Sequence, residues 1–164
     1  MRNNLKKLTS LALAISFALI LSFIESRIPA FVAIPGVKVG LANIAIIFML
    51  YKFGIKEAII VSIIRVVMVS ILFGSVASLF YSIAGAVLSL AVMIILKCIT
   101  PLKEVAISVV GGVMHNVGQI IMASILLETN VVVYYLPFLL VSGTIAGIVV
   151  GITAALLIQK IKIK

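Results

Sequence analysis

The chain has 164 residues, of which 65% are hydrophobic and 10% are charged, and its mean hydropathy is +1.44. These values exclude a soluble globular domain, which carries about 25% charged residues. The net charge of +9 would suggest a nucleic-acid partner in a soluble protein, but the basic residues do not cluster with aromatic residues, so we expect no nucleic acid to bind.

Six apolar segments follow one another along the chain and predict an all-α membrane protein with six transmembrane helices. They cover residues 8–24, 39–51, 57–73, 75–96, 105–127 and 132–158. Since about 20 residues are needed to cross a hydrocarbon core of about 30 Å, the second segment is short. No small-residue cleavage site follows the first segment, which we therefore expect to be a retained helix rather than a signal peptide. We expect residues 1–164 to form one domain in a bacterial plasma membrane.

The distribution of basic residues predicts the orientation of these helices. If the segments alternate across the membrane, ten basic residues lie on one side: Arg2, Lys6, Lys7, Lys52, Lys56, Lys97, Lys103, Lys160, Lys162 and Lys164. The other side receives only Arg27 and Lys38. Because Lys and Arg near helix ends are retained on the cytoplasmic side, both termini are predicted to be cytoplasmic.

Residues 25–38 connect the first two segments on the predicted outer side. Pro29 and Pro35 disfavour a helix in this loop, and Gly36 allows the chain to bend. The loop is either a mobile flap over the outer face, which we favour, or an ordinary connection.

Small residues recur every four positions on two of the segments. The ladder in the first segment is Ser10, Ala14, Ala18 and Ser22, and the ladder in the sixth is Gly143, Gly147, Gly151 and Ala155. Such faces allow two helices to approach closely in lipid. Either ladder can seat a neighbouring helix inside the bundle, which we favour for the glycine ladder, whereas the first ladder could equally dock another membrane protein.

Arg65 is a basic residue within the third predicted segment. It lies about nine residues after Lys56, and at 1.5 Å per residue this places it roughly 14 Å deep. A charge at that depth must be paired or must line a hydrated cavity, so Arg65 is a candidate ligand for an anionic group. The alternative is an ion pair with Glu25 or Glu128, which lie at the outer ends of segments.

Polar side chains also occur in the fifth segment, within the sequence GGVMHNVGQ. At 100° per residue, His115, Asn116 and Gln119 share an arc of about 100°, so all three are candidate ligands for a bound molecule. Asn43 and Lys38, at the outer end of the second segment, could close over the same cavity. The alternative is that these polar groups are satisfied within the bundle.

Several kinds of chemistry lack the residues that they require. The chain contains no Asp, and its four Glu residues are scattered, so we expect neither a magnesium-diphosphate site nor acid–base catalysis. The chain has one Cys and one His, and His115 has no second His or Cys nearby in the sequence, so we expect no metal site. No GxxxxGK[ST] loop is present, so the chain cannot hydrolyse ATP through that motif. We therefore expect no enzymatic activity and no cofactor.

Three stretches resemble the Gx transporter family, also called heptaprenyl diphosphate synthase component I. They are IPGVKVGLANI (34–44), FGSVASLFYSIAGAVLSLAVMIILK (73–97) and GGVMHNVGQI (111–120). That family is similar to the membrane-embedded S components of energy-coupling factor (ECF) transporters. In those importers the S component captures a solute outside, and a coupling membrane subunit with two ATPases drives its release inside. The resemblance implies that Ala14 and Ala18 dock the coupling subunit.

Two hypotheses follow for the function. In the first, the chain is an ECF S component that binds a small, anionic organic solute through Lys38, Asn43, Arg65, His115, Asn116 and Gln119. In the second, it is a non-catalytic membrane subunit of heptaprenyl diphosphate synthase, because all-trans prenyl synthases use aspartate-rich motifs that this chain lacks. Co-purified partners would separate the two.

Overall fold

A computed structural model describes residues 2–27 and 40–161, and in this part of the chain all the regular structure is helical. The α-helices are α1 (Arg2–Arg27), α2 (Asn43–Lys52), α3 (Ile55–Phe73), α4 (Val76–Ile99), α5 (Glu104–Leu126) and α6 (Leu136–Lys160). A short 3-10 helix, Val131–Tyr135, precedes α6. The prediction of an all-α protein is confirmed. Residues 25–27 of the predicted flap (25–38) belong to α1 instead, and the rest of it, including Lys38, lies outside the described residues.

Four stretches of these helices are long and apolar enough to cross a membrane. They are Lys7–Arg27, Val76–Ile99, Glu104–Leu126 and Val131–Lys160. Helix α2 has 10 residues, which at 1.5 Å each give about 15 Å, half of a hydrocarbon core. Helix α3 has 19 residues but carries Lys56, Glu57 and Arg65. The count of six spans therefore remains a prediction.

Helices α4, α5 and α6 pack most closely, because glycines line their contacts. A Cβ atom on Gly112 would lie 2.6 Å from the carbonyl oxygen of Gly143, and one on Gly147 would lie 2.6 Å from the Cα atom of Val109. The backbones of α5 and α6 are therefore in close contact. The glycine ladder of the sixth segment packs inside the bundle, which is the alternative that the sequence favoured.

The ladder on α1 is also turned inward. The side chain of Ala14 is 8% exposed and that of Ala18 is fully buried, where it packs with Ala42 and Ala45 at the start of α2. A docking face must be accessible to its partner, so docking through Ala14 and Ala18 would require α1 to move away from the helices that cover them. That role was inferred from the resemblance and remains a prediction.

Helix α2 lies at the centre of the bundle, in contact with α1, α3, α5 and α6. Charged side chains from other helices bind the backbone near both of its ends. A Glu25 carboxylate oxygen accepts the backbone N–H of Gly40, and the Lys97 ammonium donates to the carbonyl oxygen of Leu50. An acid near the N-terminus and a base near the C-terminus also suit the helix dipole. Neighbouring helices thus satisfy backbone groups near both ends of this short helix.

The outer surface of the bundle is apolar. Large side chains such as Leu13, Ile71 and Val141 are mostly exposed, which suits a surface in contact with lipid tails. An ion pair between Lys7 of α1 and Glu57 of α3 lies at the end of the bundle that carries most of the lysines. There the polar groups can reach the headgroup region.

Candidate functional site

A polar cavity lies between α1, α3, α4, α5 and the residues just before α2. Its empty volume is about 310 Å³, including the part that is open to the exterior. The enclosed part has room for about one or two water molecules, so a larger solute would have to move the walls apart. The residues that line it are Ser22, Glu25, Gly40, Arg65, Val66, Val69, Ser82 and His115.

Arg65 and Glu25 place opposite charges in this cavity. Each side chain is only 6% exposed, and both line the cavity. Glu128, in contrast, is exposed at the end of α5. The geometry therefore favours Glu25 as the acid that compensates Arg65, because a charge removed from water must be balanced by a nearby partner.

Gly40 brings Asn43 and His115 to the same place. A Cβ atom on Gly40 would lie 3.0 Å from Asn43 Nδ2 and 3.9 Å from His115 Cδ2. The φ angle of Gly40 is +94°, a value that L side chains rarely adopt. Both the limited space and the backbone conformation therefore favour glycine here. Asn43 and His115, predicted as ligands from separate segments, lie beside one residue that lines the cavity.

Asn116 does not reach the cavity. Its side-chain Nδ2 donates a hydrogen bond of 2.7 Å to the carbonyl oxygen of Leu139, and it lies 2.8 Å from where a Cβ atom of Gly143 would be. The side chain thus joins α5 to α6. Asn116 is not among the residues that line the cavity, and its role as a solute ligand remains a prediction.

Gln119 is fully buried but does not line the cavity. It lies next to His115, because a Cβ atom on Gly85 of α4 would be 3.0 Å from Gln119 Cγ and 2.9 Å from His115 Cε1. Neither Nε2 nor Oε1 of Gln119 has a hydrogen-bond partner among the described residues. A buried amide that has lost its hydrogen bonds with water costs free energy. A polar group that enters the site could restore hydrogen bonds to Gln119.

The structure thus brings Arg65, His115 and Asn43 together, with Gln119 behind His115. Sequence reasoning did not assign Ser22, Glu25 or Ser82 to the site. The spacing of Ser22 and Glu25 could have indicated them, because residues three apart lie on one face of a helix. Ser82 belongs to a row of buried serines on α4, at Ser78, Ser82 and Ser89, whose spacing also follows one helix face.

The side chains of this cavity suit binding rather than bond breaking. They offer two opposite charges, two hydroxyl groups and an imidazole, which can hold a small polar molecule by charge and hydrogen bonds. No group of three His, Cys, Asp or Glu side chains that could hold a metal ion occurs within residues 2–27 and 40–161.

Comparison with protein families matches residues 14–157 to the family model described as heptaprenyl diphosphate synthase component I. The match covers most of the chain, including every residue that lines the cavity. No curated protein and no solved structure matches the chain.

Proposed function

Because the chain belongs to the heptaprenyl diphosphate synthase component I family, we propose that it is a non-catalytic membrane protein whose polar cavity binds a small solute. The observation that carries this proposal is the burial of Arg65 in a polar cavity among four helices of an otherwise apolar bundle. Ionisable residues inside a membrane are costly and are kept mainly where they serve a function. In this proposal the six helices span the membrane with both termini in the cytoplasm.

Two assemblies are compatible with such a protein. The family description favours a membrane subunit of heptaprenyl diphosphate synthase, in which the catalytic residues come from a partner. The polar cavity and the resemblance to S components favour the solute-binding subunit of an ECF importer, in which two ATPases supply the energy. The solute-binding cavity is the part of the proposal that the geometry supports best. Identifying the proteins that bind this chain would show which of the two assemblies it belongs to.

Co-purification distinguishes the two assemblies. The full chain, tagged and expressed at its native level, is extracted in mild detergent, and the proteins bound to it are identified by mass spectrometry. A coupling membrane subunit with two ATPases would support the importer and argue against the synthase. A soluble prenyl diphosphate synthase would do the reverse. An unrelated membrane protein with the same tag defines the background.

The single cysteine provides a test of the predicted orientation. Cys98 is exposed at the end of α4 on the predicted cytoplasmic side, so a membrane-impermeant maleimide should label it only after the cells are opened. In a Cys98→Ser background, Ser26→Cys at the outer end of α1 should be labelled in intact cells, because Ser26 is exposed. Lys160→Cys in the same background should behave like Cys98. The opposite pattern of labelling would contradict the orientation.

A further inference from the structure

The charges that line the cavity constrain the charges of the solute, if the proposed solute-binding function holds. Arg65 of α3 carries a positive charge, and Glu25 of α1 carries a negative charge in the same enclosure. We propose that the solute is a small zwitterion of the amino-acid type, whose anionic group binds at Arg65 and whose cationic group binds at Glu25. Glu25 then determines the specificity of the site.

The argument depends on burial. In water the two charges of the protein would be screened, but both side chains are 94% buried or more, and charges interact more strongly where water is excluded. A purely anionic solute would be attracted to Arg65 and repelled by Glu25. A purely cationic solute would be attracted to Glu25 and repelled by Arg65. A zwitterion is attracted at both ends, so the site discriminates against either single charge.

The remaining groups of the cavity fit a solute with two unlike charged ends. Ser22 lies on the same face of α1 as Glu25, and Ser82 faces the cavity from α4. A hydroxyl group both donates and accepts hydrogen bonds, so it can stabilise either end of the solute. The enclosed space holds about one or two water molecules, so its walls must separate to admit the solute, and a solute of few atoms requires the least separation. Glu25 also accepts the N–H of Gly40, so the cationic group of the solute would share this carboxylate with the backbone just before α2.

Thermal unfolding of the purified full-length protein in detergent tests the inference. The melting temperature is followed by circular dichroism with three probes at equal concentration: a pool of the twenty common amino acids, a pool of the matching 2-hydroxy acids, and a pool of the matching decarboxylated amines. Only the amino acids are expected to raise the melting temperature of the wild type. For the active amino acid, the wild type should bind it about ten- to a hundredfold more tightly than its 2-hydroxy acid, as expected for one charge-assisted contact.

The variant Glu25→Gln is the decisive comparison. It should bind the 2-hydroxy acid at least as tightly as the amino acid, since it keeps Arg65 but lacks the acid that binds the ammonium group. Ser26→Ala, an exposed neighbour, should retain the preference of the wild type. A purely structural role for Glu25 would lower the stability of the variant without changing which probe it prefers.

Two results would overturn the inference in different ways. If the 2-hydroxy acids stabilise the wild type and Glu25→Gln equally, the solute is an anion, and solute binding stands while the zwitterion is wrong. If none of the three pools raises the melting temperature and no small molecule is retained by the purified protein, solute binding by this cavity is itself contradicted.

Discussion

Replacing Arg65 by Gln is expected to weaken binding of the solute about ten- to a hundredfold, because a charge-assisted hydrogen bond contributes about 1.5–3 kcal/mol. The same change removes the positive charge that lines the cavity together with the carboxylate of Glu25. Removing one of two opposite buried charges is destabilising, so the variant should also unfold more readily. Binding is measured by titration with the solute that mass spectrometry identifies in the purified protein, and stability by the midpoint of unfolding in detergent.

The double variant Arg65→Gln/Glu25→Gln separates these two effects. It contains neither charge, so most of the lost stability should return, because an uncharged pair has no unbalanced desolvation cost. Binding should remain weak. Recovery of binding in the double variant, or wild-type affinity in the single variant, would mean that Arg65 serves only as a structural partner of Glu25. Gln119→Leu should have the smaller effect, since a neutral hydrogen bond contributes about 0.5–1.5 kcal/mol.

Replacing Gly147 by Leu is expected to destabilise the bundle by about 3 kcal/mol or more, at the upper end of the range for overpacking. A Cβ atom at this position would already lie 2.6 Å from the Cα atom of Val109 and 2.9 Å from the carbonyl oxygen of Ser108. Both are backbone atoms, which cannot rotate away. Helices α5 and α6 would therefore have to separate, and with them the hydrogen bond from Asn116 to α6.

The matched control is Ala12→Leu, which adds similar bulk to the exposed face of α1. It should change the free energy of unfolding by less than about 0.5 kcal/mol, as is usual for surface substitutions. Circular dichroism during titration with a denaturing detergent gives both midpoints. Equal midpoints for the two variants would show that the backbones of α5 and α6 are not in close contact.

The positions of the helices could be predicted from the sequence alone, because only a helix satisfies its own backbone hydrogen bonds in lipid. The segment predicted at 105–127 is Glu104–Leu126 in the structure, and the segment predicted at 57–73 lies within Ile55–Phe73. The short 3-10 helix before α6 was not predicted, since Val131–Tyr135 is as apolar as the helix that it precedes. The apolar pattern locates a helix but does not distinguish its type.

The candidate site could be predicted only in part. Arg65, His115 and Asn43 were found because polar groups in an apolar segment are conspicuous. Glu25 was considered only as a possible ion-pair partner, since it is 40 positions from Arg65 in the chain and lies at the end of its segment. The helical period of 100° places His115 and Asn116 on neighbouring parts of one face, but does not indicate which helix each one meets.

Local composition and the cost of placing polar groups in lipid were enough to predict that this protein is helical and apolar, where its helices lie, and that the charge of Arg65 must be paired or hydrated. The packing of the helices was needed to show that Glu25 lines the same cavity as Arg65, that Asn116 donates a hydrogen bond to α6, and that Ala14 and Ala18 are buried in the bundle. The physical reason is that the rotation of each helix about its axis depends on how several helices pack together, and the period of a single helix carries no information about its neighbours.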